Sequence, residues 1–331
     1  MSLTREPVIK ETVLNSSSRA AERSTSGVVR APLITARDLL ALLYLYPLQF
    51  LFKFISRDRL YQIGRIAEPL LQFHFRKWRK RAEARMLATP GSGISASEAP
   101  RIARQLVSNA MFRLLDDVVI SRPGFLKELR VSEVSGLEYL ESAAAQRKGV
   151  VIVIGHFSAA RIARRYLAAI GYPMLAVRAY RPNAGGAGRL SGRWVQPRLA
   201  RFLHDVVRDE ADPLTPGCTL KILQRLRSGG LVSITMDVAG GARVVQSRLL
   251  GAPHRFSAGL LDIIRLSGCA VVPMLSLGRS SDLRIVFSPP LDIVQSSSRD
   301  EFIGRNLPTL VKCLEKQIAD HPAEWVLWAL L

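Results

Sequence analysis

The stretch Val150–Phe157, which reads VVIVIGHF, decides the fold that this sequence predicts. Its first five residues are all β-branched, which indicates a strand buried on both faces of a sheet. Gly155 permits a sharp turn after the strand, and Ser158 is suited to cap a helix that begins there. Because open α/β sheets bind ligands at the carboxyl ends of their strands, we expect His156 to lie at a functional edge.

Beyond residue 98 the sequence alternates between helical and strand patterns. The patterns predict helices over 98–118, 134–147, 158–170, 218–227, 256–267 and 301–320. They predict further strands over 174–178, 231–236, 270–277 and 283–287. This alternation is typical of an α/β domain, here residues 98–331, with a central mixed, largely parallel sheet flanked by helices.

The composition bounds the partners that the chain can have. Its 331 residues include 47 basic and 27 acidic side chains, for a formal net charge of +20. Such a surplus favours negatively charged partners, which include anionic lipid, nucleic acid and an acidic carrier protein. The cysteines Cys218, Cys269 and Cys313 form neither a metal-ligand pattern nor a disulfide framework, which favours a reducing compartment. The five histidines are scattered without zinc-site spacing, so no metal site is predicted.

The amino-terminal part divides into a polar tail and an apolar run. Residues 1–32 are rich in Ser, Arg, Glu and Thr and are expected to be disordered. The run Leu39–Ser56 is strongly apolar, but it is short for a membrane span and contains Pro47, Gln49 and Lys53. A tilted short span, an interfacial anchor and a buried core helix all fit this run.

A basic stretch follows the apolar run. Nine Lys or Arg residues and three acids lie between Arg57 and Arg85, and aromatics interleave with the charges of His74–Arg81. Anionic cytoplasmic membrane surfaces attract such stretches. We therefore predict that residues 33–88 form a hydrophobic and basic helical segment that associates with the membrane. The alternative is a solvated basic helix that follows a core helix.

Seven blocks of sequence occur in the order that a known family shows. They are Ser135–Leu140, Gly149–Phe157, Tyr180–Asn183, Gly230–Asp237, Leu249–Ala252, Val271–Pro273 and His321–Trp325. In this order and spacing, the chain from Gly136 to Trp328 resembles a bacterial lipid A late acyltransferase of the lauroyl or myristoyl type. That family lies within the lysophospholipid acyltransferase superfamily, so the resemblance implies a glycerolipid acyltransferase-like fold preceded by membrane-associated helices.

The resemblance also implies a reaction. A fatty acyl chain would pass from an acyl thioester, carried by acyl carrier protein or coenzyme A, to a hydroxyl or amine of an amphipathic lipid-like acceptor. The place would be the cytoplasmic face of the inner membrane, and no cofactor beyond the thioester co-substrate is implied. In the family motif a histidine is followed, after four residues, by an acid. The histidine acts as the base, and the acid orients the imidazole and stabilises its cationic form.

This sequence departs from that motif, because Arg161 occupies the position of the acid. A carboxylate beside an imidazole favours its protonated form, and a guanidinium does the reverse. On a helix, Arg161, Arg164 and Arg165 fall on one basic face that would greet an anionic ligand, a lipid or water. Three roles remain open for His156: a base that borrows another carboxylate, a residue retained in an altered site, or a structural turn residue.

Asp237 is the best replacement carboxylate. It follows the predicted strand at 231–236, so it would share an edge of the sheet with His156 if the two strands are parallel. An Asp at a strand end also often caps a loop, which is the alternative. Asp205 and Glu210 are weaker candidates. For the oxyanion of the reaction, the backbone N–H groups of Phe157 and Ser158 at the helix start are the predicted donors.

Arginines dominate the segment after the second predicted strand. Between Arg161 and Arg208 there are ten arginines, one acid and no lysine. Arginine binds phosphate and carboxylate in a bidentate manner that lysine cannot match. Besides Arg161, the residues placed to bind a phosphorylated acceptor or an acidic acyl carrier protein are Arg178, Arg181, Arg189, Arg193, Arg198 and Arg201. A solvated charged loop is the alternative for each of them.

Three classes of function compete on these observations. The first is an inner-membrane acyltransferase with His156 as base, Asp237 as its partner and anionic membrane lipid as its surroundings. The second is an acyltransferase-fold protein that has lost catalysis and binds a lipid or a partner enzyme, which Arg161 favours. The third is nucleic-acid binding, which only the net charge supports, since no recognised nucleic-acid motif is present. We expect no nucleic-acid partner.

Overall fold

The computed structural model describes residues 10–13, 33–177, 195, 198, 202, 210–212, 215–239 and 243–329. The strands are β1 (Lys10–Val13), β2 (Val131–Ser135), β3 (Val150–Ile154), β4 (Met174–Val177), β5 (Glu210–Ala211), β6 (Leu231–Thr235), β7 (Arg243–Leu249), β8 (Ala252–Ser257), β9 (Ala270–Arg279) and β10 (Asp282–Phe287). The helices are α1 (Ala36–Leu43), α2 (Gln49–Phe52), α3 (Arg57–His74), α4 (Arg76–Ala88), α5 (Ala99–Ile120), α6 (Leu137–Ala145), α7 (Ala160–Ala169), α8 (Cys218–Arg227), α9 (Ala258–Ser267) and α10 (Arg299–Asp320). A π-helical segment, Tyr44–Leu48, joins α1 to α2, and short 3-10 turns cover Phe125–Glu128 and Val326–Ala329.

The central sheet has seven strands in the order β2-β10-β9-β3-β6-β4-β5. Its neighbours pair in parallel except for β9 and β10, which are antiparallel. The predicted α/β class with a mixed, largely parallel sheet is therefore confirmed. β3 lies between β9 and β6, and all five of its residues are buried. A strand with a helix layer on both sides needs a continuous apolar run, which VVIVI supplies.

Alternate residues of β3 point into two different cores. Val151 and Val153 pack in the larger core, with side chains from α4, α5, α8, α9 and α10. Val150, Ile152 and Ile154 pack in the smaller core, with side chains from α6, α7 and the end of α5. The period of two along a strand divides the residues in this way. β3 is thereby packed against a core on each face, which supports the turn that follows it at the carboxyl edge of the sheet.

The strands that bear on the site are in register. Ile154, the last residue of β3, pairs with Thr235, the last residue of β6. His156 and Asp237 each lie two residues beyond this pair. Because the two strands are parallel and in register, residues at the same distance beyond their paired ends meet at the same point of the sheet edge.

A second sheet, β1-β7-β8, was not predicted. Its hairpin turns at Leu250 and Gly251, whose φ angles of 51° and 76° suit the two-residue turns that join twisted strands. β1 belongs to the tail, so the predicted disorder of residues 1–32 does not hold for Lys10–Val13, which pairs antiparallel with β7. The rest of that tail lies outside the described residues.

The apolar run does not form one continuous α-helix. α1 ends at Leu43, the π-helical segment contains Pro47, and α2 ends at Phe52. Proline lacks the N–H that a regular helix interior uses, which accounts for the irregular hydrogen bonding there. In the part of the chain that the structure describes, no helix combines the length and the apolar character needed to cross a membrane.

Candidate active site

His156 and Asp237 form a hydrogen-bonded pair at the carboxyl edge of the sheet. Nδ1 of His156 lies 2.6 Å from Oδ1 of Asp237, and the backbone N–H of His156 donates to Oδ2 at 2.7 Å. The imidazole is 36% exposed, whereas the carboxylate is completely buried. A carboxylate at Nδ1 selects the tautomer with the proton on that nitrogen, so Nε2 carries the free lone pair. The structure therefore places Asp237, the replacement carboxylate predicted from the sequence, directly beside His156.

Asp237 is held as an anion although it is buried. Burial alone raises the pKa of a carboxyl group. The neighbouring charge of His156 and the hydrogen bonds from His156 and Trp325 outweigh that effect, so the pKa of Asp237 lies below its ordinary value. The indole Nε1–H of Trp325 donates to Oδ2 at 2.8 Å. Asp237 can thus orient an imidazole and stabilise its positive charge.

The turn that carries His156 is built around Gly155. A Cβ at this position would come 2.6 Å from Cε2 of Phe157, which is closer than side chains approach. Phe157 is buried and forms an isolated antiparallel bridge with Trp325. On either side of that bridge, Ser158 N–H donates to Glu324 O at 3.1 Å, and Val326 N–H donates to His156 O at 3.0 Å. The carboxy-terminal end of the domain therefore lines the turn.

Ser158 does not cap a helix as predicted. α7 begins two residues later, at Ala160, and the Ser158 hydroxyl donates to a carboxylate oxygen of Glu324. Glu324 is partly buried, and this burial raises its pKa from 4.5 to about 7 against the opposing charges of Arg279 and Arg284. The Ser158 hydroxyl therefore binds a carboxylate far along the sequence instead of capping the helix beside it.

The two predicted oxyanion donors are already engaged. Phe157 N–H donates to Gly155 O at 2.8 Å, and Ser158 N–H donates to Glu324 O at 3.1 Å. The prediction looked only at a helix start, whose first N–H groups are ordinarily unpaired. Here the start of α7 lies beyond them, so neither N–H is open to a substrate oxygen in this arrangement.

Arg161 pairs with a different carboxylate. Its Nη2 lies 3.0 Å from Oδ2 of Asp117, a buried residue of α5. Arg113 lies one turn before Asp117 on the same helix. Burial and the charge of Arg161 lower the pKa of Arg113 to about 10, and the charge of Asp117 acts in the opposite direction. On the same face of α7, Arg165 lies 5.0 Å over the ring of Phe125. The basic face predicted for α7 is thus packed against its neighbours rather than displayed to solvent alone.

The predicted arginine cluster is described only in part. The guanidinium of Arg198 lies 5.3 Å from the centroid of the Tyr46 ring, which joins the arginine segment to the amino-terminal apolar run. The predicted binding residues Arg178, Arg181, Arg189, Arg193 and Arg201 lie outside the described residues. Asp205 lies outside them too. Glu210 lies in the edge strand β5. Two strands, β6 and β4, lie between β5 and β3, the strand that leads to His156.

Sequence reasoning missed several residues around Asp237 and Arg161. Trp325 lies in one of the blocks that carry the family resemblance, and nothing in its local sequence signals a bond to residue 237. His254 lies with Nε2 3.1 Å from the backbone oxygen of Asp237, and the hairpin that carries it was not predicted. Asp117 lies in the predicted helix over 98–118, next to another acid, Asp116. The sequence alone gives no reason to single out either of them as the partner of Arg161.

A partly exposed imidazole oriented by a buried carboxylate, at the carboxyl edge of a largely parallel sheet, is the arrangement of a general base. Residues 65–329 match the family model described as bacterial lipid A biosynthesis acyltransferase, and the chain belongs to this family. The resemblance stated from the sequence is thereby confirmed.

Among solved structures, the chain is similar to 1-acyl-sn-glycerophosphate acyltransferase (PlsC) from Thermotoga maritima. The identity is 13% and the TM-score is 0.31, over 85% of this chain and 97% of that chain. No functionally curated protein matches the sequence.

Proposed function

We propose that this protein is a catalytically competent acyltransferase in which His156 is the base and Asp237 orients it. Membership of the family supports transfer of an acyl chain to a lipid acceptor. The observation that carries the proposal is the 2.6 Å contact between Nδ1 of His156 and Oδ1 of Asp237, with the ring still reachable from solvent. A base–orienter pair needs a carboxylate beside Nδ1, and it need not come from the usual motif position.

The reaction follows from the free lone pair on Nε2. This nitrogen takes the proton of the acceptor hydroxyl or amine as the acceptor atom attacks the carbonyl carbon of the thioester. The imidazolium that forms is stabilised by the anionic Asp237. When the tetrahedral intermediate collapses, the C–S bond breaks and Nε2 returns the proton to the departing thiolate. The ester or amide and a free thiol result, and the pair regains its starting protonation.

The donor and acceptor that we propose follow from charge. An acidic acyl carrier protein suits a chain with a net charge of +20 better than the smaller coenzyme A does. The acceptor is an amphipathic lipid with anionic groups, which arginines of the 161–208 segment would bind. Within this segment, the guanidinium of Arg198 lies over the ring of Tyr46, so this arginine is beside the amino-terminal apolar run.

Those helices support peripheral binding to an anionic membrane at the cytoplasmic face. Ile63, Ile66, Leu70 and Phe73 of α3 are all exposed, with Ile66 at 81%. Their spacing of three, four and three residues places them on one stripe of the helix. The guanidinium of Arg76 in α4 lies 4.7 Å from the centroid of the Phe73 ring, and α3 and α4 carry further basic residues, as anionic headgroups would favour. An exposed apolar stripe of this kind marks an interaction surface.

The test uses purified full-length protein with radiolabelled acyl-acyl carrier protein or acyl-coenzyme A and a panel of lipid acceptors. We expect wild-type turnover and its loss in His156→Ala. Unchanged turnover in that variant would overturn the mechanism. The alternative function, lipid or partner binding without catalysis, rests on Arg161 in the acid position. It would be favoured if the wild type bound acceptors without turnover with either donor.

A further inference from the structure

A short carboxy-terminal segment completes the surroundings of the His156–Asp237 pair. We name residues His321–Trp328 the strap. It lies antiparallel to the turn, because the two backbone bonds from Ser158 to Glu324 and from Val326 to His156 flank the bridge between Phe157 and Trp325. The turn that presents the base is thus fixed by residues from the far end of the chain.

The strap reaches Asp237 through one side chain. Trp325 donates its indole N–H to Oδ2 at 2.8 Å, and the same oxygen accepts the backbone N–H of His156 at 2.7 Å. With Oδ2 held by two donors, the carboxylate plane cannot rotate freely, and Oδ1 stays directed at Nδ1 of His156. Since Asp237 is completely buried, the protein itself must supply these donors.

Trp325 is itself held in place. It is 2% exposed, and its ring packs edge-on against Trp328, with centroids 4.9 Å apart and planes at 87°. Trp328 in turn donates its indole N–H to Pro322 O at 3.0 Å, within the strap. Both tryptophans are buried and belong to the strap, but their indole N–H groups donate to different acceptors. Only Trp325, of the two, binds the carboxylate of the catalytic pair.

We infer that Trp325 is a positioning residue that holds Asp237 in the orientation the base requires. This inference rests on the proposed function for its kinetic consequence, while its geometric content is independent of turnover. Removing the indole N–H frees the carboxylate to rotate and leaves Oδ2 with one donor fewer in a buried place. We expect the chemical step to slow and substrate binding to stay unchanged, because Trp325 is too deeply buried to contact a substrate.

The experiment compares Trp325→Phe with Trp328→Phe in the full chain. Each change removes one indole N–H from the strap and keeps an aromatic ring. We expect Trp325→Phe to lower kcat about tenfold with KM within about twofold. The acid-side midpoint of its pH–rate profile should move to higher pH, because a carboxylate with fewer donors attracts the imidazolium proton more strongly. Trp328→Phe should leave both kcat and profile near the wild type.

The charged and titratable groups around this carboxylate are few in the described structure. His156 faces it from the turn after β3, and His254 faces its backbone oxygen from β8, with a pKa lowered by burial. A wild-type profile and kcat in Trp325→Phe would overturn the inference, as would an equal loss in the Trp328 variant.

A spectroscopic measurement separates failure of this inference from failure of the proposed function. The indole N–H resonances of the two tryptophans are recorded in the wild type and in Asp237→Asn. We expect the Trp325 resonance to move and the Trp328 resonance to stay. This result can be obtained even if the protein shows no turnover or Trp325→Phe does not fold. An unmoved Trp325 resonance would refute the bond to Asp237 and the inference with it.

Discussion

Arg161 and Asp117 form an ion pair in which Nη2 lies 3.0 Å from Oδ2, and this pair accounts for a cation in the position of a catalytic acid. The carboxylate of Asp117 comes from α5 and is buried, and it neutralises the charge of the Arg161 guanidinium. The orienting carboxylate comes instead from the end of β6. Two acids on two elements thus replace the single acid of the usual motif, one beside His156 and one beside Arg161.

Replacing the orienting carboxylate should weaken catalysis. In Asp237→Asn the amide keeps the shape but carries no charge to stabilise the imidazolium, and the tautomer of His156 is no longer selected. We expect kcat to fall about a hundredfold or more, with a small change in KM. Steady-state kinetics with a single lipid acceptor measures this. Wild-type kcat in the variant would exclude Asp237 from the mechanism.

Restoring the motif acid should harm the protein. Arg161→Glu would replace the guanidinium that pairs with buried Asp117 by a second carboxylate. Breaking a buried pair in this way costs about 3 kcal/mol of the free energy of unfolding. Denaturant titration of Arg161→Glu measures the loss, and the double variant Arg161→Glu with Asp117→Arg should recover part of it. A single variant as stable as the wild type would show that the ion pair contributes nothing.

Glu324 should make stability depend on pH in a defined direction. Its pKa is raised from 4.5 to about 7 in the folded protein, so folding favours its protonated form. The contribution of protonated Glu324 to the free energy of unfolding is complete below pH 4.5. It declines as pH rises from 4.5 to about 7, and it is lost above the pKa of the folded protein. The difference amounts to about 3 kcal/mol.

Glu324→Gln cannot ionise, so we expect its stability relative to the wild type to rise between pH 5 and pH 8. Denaturant unfolding at both pH values measures this change. A pH-independent difference between the two proteins would contradict the raised pKa.

The space at Gly155 should tolerate no side chain. In Gly155→Ala the new Cβ would meet the ring of Phe157 at 2.6 Å, so the turn or the ring must shift. Because His156 is the next residue, we expect turnover to fall by more than the fraction of unfolded protein would account for. Gly259→Ala is the matched control, since its nearest neighbour, Ser257 Oγ, would lie at an ordinary 3.4 Å. Equal effects of the two changes on turnover would contradict this account.

The exposed stripe of α3 should be needed for binding to anionic membranes. Leu70 is 71% exposed, and Leu70→Glu places a negative charge in the stripe. We expect the variant to sediment less with phosphatidylglycerol vesicles, and wild-type binding to weaken as salt rises. Leu220→Glu on α8 is the control, because Leu220 is 55% exposed but lies away from the stripe. Loss of binding in the control alone would place the membrane surface elsewhere.

Local sequence patterns predicted most of the large domain. The helix over 218–227 matches α8, and the predicted strands 174–178 and 231–236 each end within one residue of β4 and β6. Such elements carry strong periodicity and are bounded by glycine or by charge, so local propensity and burial agree. The hairpin β7–β8 was missed because its strands mix polar and apolar residues, and only pairing across a turn at Leu250–Gly251 makes them strands.

The sequence by itself determined that His156 follows a fully buried strand and that Asp237 follows another, since a continuous run of β-branched residues is informative without its neighbours. Only the tertiary structure decided which acid serves which base. Register between β3 and β6 brought Asp237 to His156, packing of α7 on α5 brought Asp117 to Arg161, and the chain's far end supplied Trp325. Hydrogen bonds and ion pairs act over a few ångströms, and residues 81 or 88 positions apart meet at that range only once the chain has folded.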